Sequence, residues 1–313
     1  MLPRLAIARC GGQISSTVPI PSLPPSTGVW VLRALWLALP LAAGPALGAA
    51  LDGRSGGVRA VGSVLAWAVW VAVLVALLVP RATSLTAVRL GVPAGLLAVA
   101  WAAGPGSPDD DLVRAASAVL VAAAATAVVA AASVVDAFVN GSAYGTERRF
   151  ALRSPPALLA LAGLAWAAVV AGALTGPLLL AAGQWVGGGV AVVVGAGLVA
   201  GGGRALHGLS RRWLVFVPSG LVVHDPVARP DAVMAPTPLI KSLGPAPADT
   251  EALDLTLGAP GLALLMTTSE TLPVTTRQRG RSLVTTSSAQ IAFTPTRPSA
   301  VLAEAASRRI PLG

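Results

Sequence analysis

Long apolar runs separated by short, arginine-bearing connections constrain this chain more than any motif does. A helix needs about 20 apolar residues to cross a bilayer. Six segments reach that length, at about 29–51, 60–79, 84–103, 113–138, 156–175 and 178–203. Charged residues make up only 11% of the chain, against about 25% in an ordinary soluble domain, too few to clothe soluble surfaces. The expected fold class is therefore an α-helical polytopic membrane protein. Pro40 and Pro45 should kink the first span. The third contains Arg89 and Pro93, with Arg89 near one end where its long side chain can reach the interface. The "TGP" at 175–177 reads as the tight turn of an antiparallel hairpin between the fifth and sixth spans.

The connections suggest a direction. Arg4, Arg9 and Arg33 lie at the first span's start, Arg81 and Arg89 near the second connection, Arg148, Arg149 and Arg153 in the fourth, and Arg204, Arg211 and Arg212 after the sixth. With six spans these places share one side. Asp109, Asp110 and Asp111 fall in the third connection, on the other side. Positive-inside bias then puts both termini in the cytoplasm of a plasma-membrane protein, with Arg54 and Arg59 as a mild exception. Residues 1–28 read as a Pro/Ser-rich disordered tail and 29–205 as the six-span part.

From about residue 211 the texture changes. Apolar runs shorten, and Thr, Pro and Ser rise. "WLVFV" (213–217), a Pro-Ser-Gly turn and "LVVH" (221–224) make a hairpin. Further strands are expected near 232–235, 238–243, 252–257, 261–267, 271–276 and 289–294. A C-terminal helix should follow, capped by Thr296 with Pro298 in its first turn. Residues 211–313 thus read as a cytosolic β-rich domain. Its order of strands and final helix resembles the pleckstrin-homology (PH-like) fold. The stretch "RRWLVFVPSGLVVHDP" (211–226) is similar to a segment of uncharacterised actinobacterial multi-pass membrane proteins with such a tail. That resemblance implies the architecture and carries no activity with it.

The motifs point away from chemistry. Gly195-x-Gly197-x-x-Ala200 imitates a dinucleotide fingerprint, but no acid follows until Asp225 and the motif lies within the sixth span. Close helix packing through Gly183-xxx-Gly187 and Gly197-xxx-Gly201 is the better reading. The net charge of +9 comes from 21 Arg and one Lys without a basic stripe, so nucleic acid is not an expected partner. A lone Cys10 excludes an intramolecular disulfide, and His207 and His224 form no metal motif. Three adjacent acids at 109–111 make no cation cage by themselves. No cofactor or metal and no catalytic residue is expected. Ionisable groups deep in the spans are nearly absent; Gln184 is a lone deep amide, and Thr126 and Ser133 are ordinary helix residues.

The polar stretch "DAFVNGSAYGTERRF" (136–150) remains. Its connection role explains the arginines. If the fourth helix continued, Asp136, Asn140, Tyr144 and Glu147 or Arg148 would share a face, although Gly141 and Gly145 oppose a rigid continuation. Asp136, Asn140, Tyr144, Glu147, Arg148 and Arg149 are the candidate docking surface for the C-terminal domain or a partner, with Arg148 and Arg149 also candidates for lipid headgroups. The expected function is non-catalytic: a membrane-anchored binding, scaffolding or regulatory protein. Its partners would be the bilayer and a cytosolic or membrane protein held through 211–313. The alternative is a small permease or transporter component.

Overall fold

A computed structural model describes residues 25–104, 109–229, 231–277 and 283–313. Six helices in it are long and apolar enough to cross a membrane. They are α1 (Pro25–Asp52), α2 (Gly56–Leu78), α3 (Ala82–Ala102), α4 (Asp109–Ala130), α6 (Pro156–Ala181) and α7 (Trp185–Ser210). Large apolar side chains such as Val64, Trp67, Leu161, Leu164, Val186 and Val193 point outward from them. Lipid, not water, is the surrounding that such an exterior fits. The expected tail at 1–28 lies outside the described residues up to position 24, and from Pro25 the chain is helical. The helix of the fourth span begins at Asp109, so the three acids open its first turn; the expected loop before them, at 105–108, lies outside the described residues.

Helices α1 to α4 pack together around Leu32, Trp36, Leu77, Leu85, Val88 and Val92. Trp36 and Trp70 lock α1 to α2 reciprocally: each indole N–H donates to the other residue's carbonyl, both at 3.0 Å. Arg33 donates twice to the Leu77 carbonyl, at 3.0 and 2.7 Å, and so satisfies an acceptor at the end of α2. Arg59 lies 3.5 Å from Asp52, so one of the two arginines that break the charge pattern has a local partner.

Helices α6 and α7 form a separate hairpin that reaches the other spans chiefly through α2 and α3. Its turn is not at "TGP". Thr175, Gly176 and Pro177 are inside α6, and the chain reverses at Ala182, Gly183 and Gln184, with Gly183 at φ +80°. Gly176 is helical because α7 packs against it: a Cβ there would strike the Val192 backbone. Proline within a span is tolerated when neighbouring helices and local adjustment re-satisfy the backbone. Gln184 is accordingly exposed at the turn, not deep in the span. The packing glycines also differ from the expected pairs. Gly188, Gly195 and Gly202 face α6, where Gly195 meets Gly172 backbone to backbone, while Gly187, Gly197 and Gly201 face open space. The seven-residue spacing, not the four-residue one, follows the interhelical seam.

The fourth span ends earlier than expected. Ala131 is extended (φ −64°, ψ 130°), and a separate helix α5 (Ala132–Asn140) follows. After a turn comes β1 (Arg148–Ala151), a strand that the sequence reading lacked. The remaining strands are β2 (Trp213–Val217), β3 (Gly220–His224), β4 (Val233–Pro236), β5 (Ile240–Pro245), β6 (Leu253–Asp254), β7 (Leu264–Arg277) and β8 (Leu283–Phe293). They form two four-stranded sheets, ordered β1-β2-β3-β4 and β5-β7-β8-β6. The runs at 261–267 and 271–276 belong to one strand whose register shifts between Thr267 and Leu272, and the run at 252–257 gives only two paired residues. The sheets enclose Leu214, Phe216, Leu243, Met266, Ile291 and Phe293, and helix α8 (Pro298–Ser307) closes the core with Val301 and Ala305. Thr296 is not its cap; Arg297 holds that position and Thr296 is used elsewhere.

Candidate functional site

The site is the junction where the β part meets the helices. β1 belongs to the connection between the fourth and fifth spans, yet it pairs antiparallel with β2, Arg149 opposite Val215 and Ala151 opposite Trp213. Phe150 drops into the β core and meets Phe216 edge to face at 5.8 Å. The first sheet therefore takes in residues well before 211.

An edge strand carries unpaired backbone groups on its outer side. Here helix α5 covers them. The Asn140 side chain accepts from the Arg149 N–H at 2.8 Å and donates to the Arg149 carbonyl at 2.6 Å. One turn back, Asp136 accepts from the Ala151 N–H at 3.0 Å. The Ala151 carbonyl accepts from both the Thr296 N–H (2.8 Å) and its hydroxyl (3.1 Å). The i, i+4 spacing of Asp136 and Asn140 matches the alternate residues of a strand, so two side chains serve as a neighbouring strand would.

Asp136 is buried, and its second carboxylate oxygen lies 3.6 Å from Arg297, just before α8. Burial pushes its carboxyl up to about 6, against the opposing pull of the Ala151 N–H and Arg297. Glu147 accepts from Arg149 at 3.0 Å and from the Tyr144 N–H at 3.3 Å; the guanidinium holds it below its ordinary value. Arg149 lies over the Trp213 ring at 5.5 Å, and Trp213 stacks on His224 at 5.3 Å. Burial, aided by Arg211, pulls the His224 imidazole down. Arg148 is half-exposed and 3.9 Å from Glu304. Tyr144 is 86% exposed and points away from the junction. Thus Asp136, Asn140, Glu147 and Arg149 gather on β1, whereas Tyr144 and Arg148 face outward. The helical face through Tyr144 does not exist, because α5 ends at Asn140 and Gly145 adopts φ +58°. Gly141 has its own reason: a Cβ there would strike the Pro80 carbonyl.

Sequence reasoning missed a second anchor. Arg212 and Asp225 form a fully buried bidentate pair at 3.0 and 2.8 Å. Arg212 also donates to the Arg153 carbonyl and the Ser154 hydroxyl, and Asp225 accepts from the Val227 and Ala228 N–H groups. Arg212 therefore ties the exit of α7 to the entry of α6 and to the end of β3. The Arg-Arg pair looked like one more orienting charge; only its place immediately before an inward-facing strand distinguished it.

Two adjoining cavities of about 470 and 290 Å³ lie between this junction and the spans, sharing Arg89, Ser154, Leu159 and Ser210 in their walls. A surface groove of about 490 Å³ runs beside Thr146, Pro218, Thr237, Ser307 and Arg308. Among the described residues no group of three His, Cys, Asp or Glu side chains could hold a metal ion.

No protein-family model matches the chain, and neither curated proteins nor solved structures give a match. The class follows from the chain itself. It is a membrane protein with, among the described residues, six candidate helical spans and a β part built onto one end of them.

Proposed function

We propose that this is a non-catalytic, membrane-anchored binding or scaffolding protein. It sits in the plasma membrane with both termini inside and presents a PH-like β domain at the cytoplasmic face. The carrying observation is the covered edge of β1. A strand from a span connection completes the sheet, and α5 satisfies its outer backbone. Such a domain is held in one pose and not trailed on a tether, which suits the display of a surface. The two sheets and the closing helix support the PH-like reading. Asp136, Arg297, Arg212 and Asp225 are engaged in holding the β part, which favours a structural use over catalysis. The groove between Thr146, Thr237 and Ser307 is the surface offered for a protein partner.

Quantitative affinity capture from native membranes tests this, comparing the full chain with Ser307→Trp, which fills the groove from an exposed position. A partner recovered by the first and lost with the second supports the reading, and identical captures would oppose it. The cavity of about 470 Å³ favours the alternative, a small permease component, in one respect: it extends along the spans to Pro93 and Trp166. Uptake by proteoliposomes of a solute that Trp166→Ala alters would move the assignment to transport.

A further inference from the structure

The two adjoining cavities differ in character from one end to the other. The deeper one is walled by Leu90, Pro93, Val129, Ala162 and Trp166. The one nearer the β part adds Arg153, Arg212 and Thr296. Arg89 borders both. Its guanidinium donates to the Ser210 hydroxyl at 3.4 Å, and no described carboxylate lies within ion-pair distance of it. Arg212 beside it is already neutralised by Asp225, whereas the Arg153 side chain, among the described residues, makes a long hydrogen bond to the Thr296 carbonyl at 3.5 Å and no ion pair. A cation within a span is costly unless an anion or polar group answers it. Arg89 thus brings an unanswered charge to the border between a polar chamber and an apolar cleft.

The cleft opens sideways. The α6–α7 hairpin attaches through α2 and α3, so α4 and α6 stand as opposite walls. Ala130, Leu159 and Gly163 line this gap and are exposed on the surface that meets lipid. A volume of about 470 Å³ lies within the range of about 300–1,000 Å³ typical of ligand pockets. What surrounds the opening is the bilayer, whose molecules have this polarity: an anionic head and an apolar chain.

We infer that the cavity between α3, α4, α6 and α7 binds an anionic phospholipid from the leaflet facing the β part. The phosphate lies between Arg89 and Arg153, where it accepts from the Ser154 and Ser210 hydroxyls, and one acyl chain enters the Leu90–Pro93–Trp166 cleft. This site is separate from Arg148 and Arg149. Arg149 is occupied by Glu147 and Trp213, and Arg148 lies beside Glu304. The inference does not depend on the scaffold reading, since it concerns a bound lipid and not a protein partner.

Native mass spectrometry of the full chain in detergent, titrated with dioleoyl phosphatidylglycerol or dioleoyl phosphatidylcholine, tests it. The expected result is retention of phosphatidylglycerol in preference to phosphatidylcholine. Arg89→Gln should weaken that retention about tenfold, as loss of a charge-assisted contact does. Gly163→Leu provides a second variant that leaves Arg89 intact. Gly163 lines the cleft and a Cβ there meets nothing within 4 Å, so a bulkier side chain can be placed at its wall without a clash. It too should lower retention, with an unchanged thermal unfolding midpoint. Equal retention of both lipids, or full retention by a folded Gly163→Leu protein, overturns the proposal. Displacement of the lipid by millimolar inorganic phosphate would assign the polar chamber to a soluble anion instead and would overturn the lipid assignment.

Discussion

The side chain of Asn140 lies against the backbone of Arg149 as a neighbouring strand would, accepting its N–H at 2.8 Å and donating to its carbonyl at 2.6 Å. No other amino-acid side chain of this length except aspartate has an acceptor in the same place, and aspartate lacks the donor. The junction between membrane and β part therefore depends on an amide at the last residue of α5.

Asn140→Asp should destabilise more than its size suggests, because it sets a carboxylate oxygen against the Arg149 carbonyl. Leaving that carbonyl unsatisfied costs about 1–3 kcal/mol. Limited proteolysis reads the effect directly: cleavage within 141–147 should accelerate in Asn140→Asp and Asn140→Leu. An unchanged cleavage rate in both would show that the edge of β1 does not depend on this residue.

Asp136 should make the junction sensitive to acid in an unusual sense. Its carboxyl is raised by burial from 3.8 to about 6. Between those values the folded protein keeps a proton that the unfolded chain releases. Stability is thus highest below 3.8, falls as pH rises through about 6 and levels off above. The whole change is at most about 3 kcal/mol. Asp136→Asn keeps an acceptor for the Ala151 N–H and should flatten the profile of unfolding midpoint between pH 4 and 7. A slope identical to that of the unchanged protein would assign the dependence to another group.

Arg212 and Asp225 should behave as a unit. Removing one partner strands a buried charge, at a cost of about 3–5 kcal/mol. Arg212→Met alone should therefore be severely destabilising, and Arg212→Met combined with Asp225→Leu should recover part of the loss. Arg212→Lys should not rescue, since one ammonium cannot replace the forked contact. Additive effects in the double-mutant cycle would show that the pair is not coupled.

In the hairpin of α6 and α7, Gly195→Leu should force the helices apart, because its Cβ meets the Gly172 carbonyl, whereas Gly197→Leu faces open space and should be neutral. Thermal unfolding in detergent separates the two. A similar loss in both would show that residue size along α7, and not its contact with α6, decides stability.

The spans were legible because twenty apolar residues have few other uses, and the β2–β3 hairpin because its alternation and turn chemistry are local. The break at Ala131 was not legible: neither Pro nor Gly marks it, and it is explained only by the strand edge that α5 must reach. The hairpin turn was misplaced because Gly176–Pro177 carries every local sign of a turn, while its packing against Val192 is a tertiary fact. The strand "RRFA" is short and charged, and its partners at 213–216 lie two spans away in the chain. Within the candidate site, the i, i+4 pair Asp136 and Asn140 could be read from spacing. Ala151, Thr296, Arg297 and the Arg212–Asp225 pair could not, because nothing in their neighbourhoods signals a distant acceptor.

The two strands that begin the first sheet are separated by α6 and α7. β1 is synthesised first and has no partner until both helices have been made and β2 follows. The pair can form only when 148–151 and 213–217 emerge on the same side of the bilayer, which requires α6 and α7 to insert together as a returning loop. If α6 enters and α7 fails to come back, β1 has no partner strand and Phe150 has no core to fill. The pairing of β1 with β2 thus couples completion of the first sheet to the return of α7.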